Sequence, residues 1–295
     1  MTETRREIRQ LLKGLAFVSP WLLGLLLFTL VPVGLSFFYS LCRFDLLQPP
    51  RYVGLHNYTD LLHDQTFWLA TRNTAYYVAL AIPSGLLISL GLAMLLNVQI
   101  PGQGIWRTII FMPSLMPITA SAMLWMWLLN ARVGLVNLLL GLVGISGPPW
   151  LGSVKWAMPA LALMSFWGVG NAMVIYLAGL QDVPRELYEA ADLDGAGVIG
   201  RILHVTIPIL SPVIFFNLIM AIIGALQMFD VPYIMTGGGP AHSTYLLSMY
   251  VYDNAFVYLQ MGYASAIAWI MLVMVLLLTG LAFWSSRRWV HYQGK

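Results

Sequence analysis

Charge is what this 295-residue sequence most lacks. Asp, Glu, Lys and Arg together make up 9% of it, against about 25% in a soluble globular domain. Its 15 basic and 12 acidic residues cannot coat a soluble protein of this size, which excludes a soluble enzyme and a disordered, solvated chain alike. Cysteine is nearly absent too. The lone Cys42 has no partner for an intramolecular disulfide, so there is no disulfide scaffold. The net charge is only +3 and its basic residues are scattered, so nucleic acid is not an expected partner. No Gly-x-x-x-x-Gly-Lys-Ser/Thr loop occurs, and Gly237-Gly238-Gly239 lacks a following Lys, so the chain is not expected to bind or hydrolyse ATP. His56, His63, His204, His242 and His291 stand apart without metal-ligand spacing, and no metal or cofactor is expected on this chain. The long apolar windows hold no paired carboxylates. That argues against an intramembrane aspartyl protease, and against the ion-coupled secondary transporter that is the alternative reading from a different class.

What is abundant is apolar surface: 59% of residues, with 11 Trp and 16 Met and a mean hydropathy of +0.78. The bilayer is the expected solvent. About 20 apolar residues in a helix cross its hydrocarbon core. Six such windows occur: Leu15 to Leu41, Asn73 to Leu96, between Arg107 and Arg132, between Lys155 and Asp182, between Arg201 and Asp230, and Gly262 to Trp284. Val133 to Ile145 precedes Gly147-Pro148-Pro149 and is too short to cross; it reads as an interfacial or re-entrant helix rather than a seventh span. The first window carries Pro20 and Pro32 and ends without a small-residue cleavage site, so it is not read as a signal peptide. Pro83, Pro113 and Pro117 are expected to kink spans, and Gly85, Gly91 and Gly224 with Ala225 to mark helix packing.

Orientation follows from Lys and Arg. With the N-terminus inside, Arg5, Arg6, Arg9, Lys13, Arg107, Arg185, Arg201, Arg287, Arg288 and Lys295 face the cytoplasm, and Arg43, Arg51, Arg72, Arg132 and Lys155 face out. The expected fold is an all-α membrane protein of six transmembrane helices with both termini cytoplasmic. Residues 1–14 and 287–295 would be cytoplasmic tails around a transmembrane domain at 15–286.

The cytoplasmic segment at about 181–208 is unlike an ordinary connector. Five acids, Asp182, Glu186, Glu189, Asp192 and Asp194, fall within 13 residues. Asp182 reads as an N-cap, with Pro184 and Arg185 entering a short helix. Leu187, Ala190, Ala191 and Asp194 follow at spacings of three and four. Gly195 and Gly197 can turn the chain sharply, and a second helical stretch from Val198 leads to Pro208. Helix, glycine turn, helix makes a compact knob whose small Ala190, Ala191 and Ala196 permit close approach.

Glu189-Ala190-Ala191, then Gly195, then Val205-Thr206-Ile207-Pro208 resembles the "EAA" loop of ABC-importer permeases, departing only by aliphatic exchange at Val205 and Ile207. Further stretches resemble the sugar-importer, maltose-type branch: Trp106-Arg107-Thr108 to Phe111-Met112-Pro113, Trp127-Leu128-Leu129-Asn130, Val53-Gly54-Leu55-His56-Asn57-Tyr58, and Thr236-Gly237-Gly238-Gly239-Pro240. The resemblance implies a type I ABC-importer permease architecture in the plasma or inner membrane. It implies a second permease subunit (a heterodimer), two ABC ATPase subunits that carry ATP and Mg, and an external solute-binding protein. The ATPase-coupling residues would be Glu189, Ala190, Ala191, Asp194, Gly195, Ala196 and Pro208.

The substrate implied is a sugar or oligosaccharide, with a non-sugar solute such as glycerol phosphate as the alternative. Sugars bind through aromatic faces, amides and hydroxyls. Polar residues within spans therefore mark the path candidates: Trp167, Asn171, Tyr176, Asn217, Gln227, Ser265 and Trp269. Interhelical hydrogen bonding is the competing role for the amides. Trp21, Trp284 and Trp289 at span ends read as an interfacial belt.

Overall fold

The computed structural model describes residues 2–98 and 101–291, with side chains from residue 13 onward. The side chains of Arg5, Arg6 and Arg9, and all of Lys295, lie outside the described residues.

In chain order, α1 (Thr2–Leu25) passes through a π-helical turn at Leu26–Leu30 into α2 (Val31–Ser40). A two-stranded antiparallel ladder follows, β1 (Cys42–Arg43) with β2 (Arg51–Tyr52). Next come α3 (His56–His63), α4 (Gln65–Asn97), α5 (Gln103–Phe111) and α6 (Ile118–Leu128). The short α7 (Leu135–Leu142) precedes α8 (Ala157–Ser165) and α9 (Gly170–Gln181). Then α10 (Arg185–Leu193) and α11 (Val198–Arg201) lead through a π-helical turn at Ile202–Thr206 into α12 (Ile207–Leu226). The last are α13 (Asp230–Thr236), α14 (Leu247–Tyr252) and α15 (Met261–Ser286).

Four helical stretches are long and apolar enough to cross a membrane, Lys13–Ser40, Gln65–Asn97, Val198–Leu226 and Met261–Ser286, or up to six if each of two bent pairs is one span. The pairs are Gln103–Leu115 with Ile118–Leu128, bent by 99°, and Ala157–Gly168 with Gly170–Gln181, bent by 50°. The first break carries Pro113 and Pro117, as a proline-rich corner requires. The second window is longer than its charge-free stretch, because the helix starts at Gln65 and runs past Arg72. Residues 2–14, expected as a tail, are helical.

The chain forms two compact units. In the first, Met1–Asp64 with Val251–Ile270, hydrogen bonds gather at the end of α2. Asn57 donates its amide to the carbonyls of Ser40 (2.8 Å) and Cys42 (2.9 Å), and the Tyr58 hydroxyl donates to Ser40 Oγ at 2.8 Å. The first of these satisfies the Ser40 carbonyl that the C-terminus of α2 leaves open. Gly262 donates its N–H to Phe44 at 3.1 Å, Tyr263 donates to Asp64 at 2.7 Å, and Phe37 meets Trp269 edge-on at 4.9 Å. Cys42 is fully buried, and burial pushes its thiol up from the ordinary range.

In the second unit, Gln65–Tyr250 with Met271–Lys295, α4 is the spine. Met173, Tyr176, Leu177 and Leu180 of α9 recur every three or four residues and pack with Ala93 and Leu96 of α4 and Leu210 of α12. The glycines that permit close approach are Gly170 and Gly179. A Cβ on Gly170 would meet Ser114 Oγ at 2.9 Å and Phe111 Cα at 3.1 Å, and one on Gly179 would meet Leu210 at 2.9 Å and Val213 at 3.0 Å. Gly85, Gly91 and Gly224, where helix packing was expected, lie in the open among the described residues: an added Cβ there meets nothing within 4 Å. After α15 the chain turns back onto α12. The His291 N–H donates to Ser211 Oγ at 2.8 Å, and Trp289 lies 6.0 Å from the Phe215 ring, packed inward where an interfacial position was expected.

Gly170→Ala is expected to cost about 1–3 kcal/mol through overpacking against backbone, whereas Gly224→Ala in open space should hold or raise the melting temperature, since Ala is the better helix former. Thermal unfolding of the two purified variants checks the contrast.

Candidate functional site

The segment from Gln181 to Pro208 forms the knob. Pro184 (φ −59°, ψ 133°) occupies the N-cap of α10 with no side-chain cap. Asp182 is the C-cap of α9 instead, which corrects its expected role. Three residues, Asp182, Val183 and Pro184, separate the helices; the first caps α9 and the proline caps α10.

The other end of α10 closes in a Schellman motif. The Gly195 N–H donates to Asp192 at 3.1 Å and the Ala196 N–H to Ala191 at 2.9 Å, with Gly195 left-handed at φ +75°. Gly197 is extended (φ −70°, ψ 175°) and starts α11. The α10 and α11 helices are tied by an Arg201–Asp192 ion pair at 2.9 Å, which at its exposure contributes about 0–1 kcal/mol. Tyr188 and Thr206 hydroxyls meet at 3.0 Å. The π turn just before Pro208 carries the helix into α12 across a residue that lacks an N–H.

The helix α10 buries no residue. Glu189, Ala190, Asp194 and Gly195 are exposed, while Ala191, Ala196 and Pro208 are half-buried. Beside them stand apolar side chains that sequence spacing had not singled out: Leu193 is 89% exposed and Ile199 73%, with Val198 and Leu203 also exposed. A cluster of uncovered aliphatics around a solvated acid is a docking surface in composition.

The path candidates do not converge on one place. Trp167 lies in the short turn at Phe166–Gly168 just before α9 and is half-buried, whereas Tyr176 is fully buried within α9. The Trp167 ring meets Trp125 edge-on at 5.8 Å. The indole N–H groups of both, and the Tyr176 hydroxyl, are buried without a hydrogen-bond partner among the described residues. Asn171 and Gln227 are exposed. Asn217 is buried and donates to Val213 one turn back at 3.0 Å, so its amide is satisfied within its own helix. Ser265 and Trp269 belong to the other unit. Trp125 was not among the sequence candidates for the path.

A cavity of about 630 Å³ at the start of α4 is lined by Trp68, Arg72, Asn73 and Tyr76, together with Ala241, His242 and Ser243 from the loop after α13. Asn73 holds that loop by donating to the carbonyls of His242 (2.7 Å) and Tyr245 (3.0 Å). Two aromatic faces, an amide, a hydroxyl and a guanidinium are groups that grip saccharide rings and their polar substituents.

The family described as binding-protein-dependent transport system inner membrane component matches residues 81–291. The probable ABC transporter permease protein YesP of Bacillus subtilis is 40% identical over 300 residues, covering 100% of this chain and 97% of YesP. The sulfoquinovosyl glycerol transport system permease protein SmoG of Agrobacterium fabrum is 40% identical over 232 residues, 78% of this chain and 75% of SmoG. Among solved structures, a bacterial ABC transporter involved in the import of the acidic polysaccharide alginate aligns with a TM-score of 0.83 at 23% identity, over 97% of this chain and 98% of that one. At that identity the likeness is one of fold.

Gly195→Ala forces a left-handed conformation on a residue with a Cβ, at about 1–2 kcal/mol, while Gly197→Ala meets no such strain. Hydrogen exchange over residues 185–201 is expected to quicken in the first variant and stay unchanged in the second.

Proposed function

The chain belongs to the binding-protein-dependent transport system inner membrane components, a family of ABC transporter permeases and multi-pass membrane proteins, and on that premise we propose that it forms the translocation path for a sugar or oligosaccharide in an ATP-driven importer. The knob between α9 and α12 is its contact with the motor. Each bent helix pair counts as one span, which makes six, and both termini face the cytoplasm with Arg185 and Arg201. The chain itself is non-catalytic and binds no cofactor. It works with a second permease, two ATPase subunits that carry ATP and Mg, and an external binding protein that delivers the solute.

The observation that carries this reading is the knob's form. It is a glycine-closed pair of short helices on which Glu189, Leu193 and Ile199 stay exposed among the described residues. Glu189 makes no ion pair among the described residues and is the anchor offered to an ATPase cleft, while Gly195 sets the angle. Nucleotide-driven closure of the ATPase pair would move the knobs together and shift the cavity between inward and outward forms, a population shift driven by nucleotide binding one form better.

A sugar substrate is supported by SmoG, whose name gives a glycoside, and by the chemistry of the chain. The unpartnered donors of Trp125, Trp167 and Tyr176 can pair with sugar hydroxyls. The cavity under Trp68 and Tyr76 can receive the ring on the external side.

Glu189→Lys is expected to leave the protein inserted and abolish ATP-driven sugar uptake in proteoliposomes of the whole transporter. Normal uptake with normal ATPase docking would refute the assignment of the knob. The buried Cys42 gives a quiet background for thiol labelling, so Glu189→Cys should react with a membrane-impermeant maleimide from the cytoplasmic side alone.

A further inference from the structure

Beside the knob, a cavity of about 670 Å³ opens between the end of α4, the start of α5 and the corner joining α9 to α10. Its size falls in the range of small-molecule sites, about 300–1,000 Å³. Two guanidinium groups line it, Arg107 and Arg185, with the amides of Asn97, Gln103 and Gln181 and the hydroxyl of Tyr188. Among the described residues no carboxylate lines it. Asp182 and Glu186, the nearest acids in sequence, form no ion pair with either arginine among the described residues.

Arg107 and Gln103 both donate to the Leu96 carbonyl, at 3.1 Å and 2.7 Å. Arg107 is thereby held in place while its Nε stays buried without a hydrogen-bond partner. Arg185 is the first residue of the nine-residue α10, and the N-cap Pro184 gives that helix no side-chain acceptor. The open N–H groups of its first turn and the positive end of its dipole add to the field of the two arginines. Two guanidiniums drawn together without a counter-charge are unfavourable, and an anion with several acceptor oxygens relieves them best, since phosphate matches the guanidinium fork.

We propose that this cavity is a binding site for a phosphate group and that its occupancy ties α5 to the first turn of α10. Because α10 buries none of its residues, such a tie holds the knob at the end that faces the body of the permease. The ligand acts on coupling and is not the transported solute. The phosphate has two possible sources, the headgroup of an anionic lipid or a soluble phosphate.

The test uses the intact transporter and reads hydrogen exchange across the first turn of α10, so it does not depend on transport. In one arm inorganic phosphate is titrated against chloride at matched ionic strength. In the other the complex sits in nanodiscs of phosphatidylcholine, with or without phosphatidylglycerol. Slowed exchange in the first arm identifies a soluble phosphate, and in the second alone a lipid headgroup. Arg185→Gln, which removes one charge-assisted contact from an exposed side chain, should weaken the protecting ligand about tenfold, and Arg107→Lys, which keeps the charge but loses the planar fork, should weaken it to a smaller extent. No protection in either arm, the result that an ATPase carboxylate seated between the arginines would give, overturns the proposal. So does protection of equal size in Arg185→Gln and the parent.

Discussion

A polar backbone group in hydrocarbon has no water to turn to, so each must be satisfied by the chain itself. Much of this structure follows from that constraint. Proline removes a donor, and the two prolines at the starts of α2 and α12 both follow a π-helical turn, at Leu26–Leu30 and Ile202–Thr206. The wider turn lets the helix continue where an α-helical ladder would clash. Side-chain hydroxyls obey the same rule: Thr74 and Ser89 donate to the carbonyls of Ala70 (2.8 Å) and Gly85 (2.7 Å), four residues back. A polar residue in a span is thus satisfied locally by default. The informative ones are those that are not, which is why the unpartnered indoles of Trp125 and Trp167 and the Tyr176 hydroxyl say more about a path than Asn217, whose amide is already spent.

The constraint also governs where helices stop. Asn57 covers the last carbonyl of α2 and that of Cys42 beyond it, and Gly195 lets two N–H groups return to α10. These ends fall where charge reappears in the sequence, because charged side chains are confined to segments that water reaches. Scarcity of charge and the placing of turns are therefore one pattern seen twice.

That link explains what could be read in the sequence. Charge-free windows located four long apolar helices and two bent helix pairs, and Gly195 announced its turn because a left-handed residue there admits little else. The helix–turn–helix at 185–201 was legible for the same reason. Other features depend on packing between distant elements. The start of α4 at Gln65 was missed because Arg72 bounds a window in hydropathy but does not end a helix. The 99° corner between α5 and α6 was marked by Pro113 and Pro117, but its angle depends on Gly170 meeting Phe111 and Ser114. Asp182 was misassigned because an isolated Asp before a helix looks like a cap, while the chain had already given it to the end of α9. The convergence of Arg107 with Arg185 had no sequence signature, since they lie on helices separated by α6 to α9.

The energetics of the knob bear on its role. A helix of nine residues, followed by one of four, is below the ~12–15 residues at which isolated helices become even marginally stable in water. It buries none of its own α10 side chains. Its internal ties are a Schellman turn, one partly exposed ion pair and a hydroxyl pair, each worth ~1 kcal/mol or less. Leaving Leu193 and Ile199 in water at 89% and 73% exposure forgoes more than those ties contribute, since burying such a side chain is worth ~1.5–3 kcal/mol. Under the proposed docking, covering those two side chains would contribute more to the knob's stability than its internal ties do. Thr206 is where that force would enter the body: it bonds Tyr188 of α10 and closes the π turn that becomes α12, and Leu210, one turn further on, packs into the core with Tyr176. A tilt of α10, as proposed, would be passed on through Thr206 to a helix whose Leu210 shares a buried cluster with Tyr176.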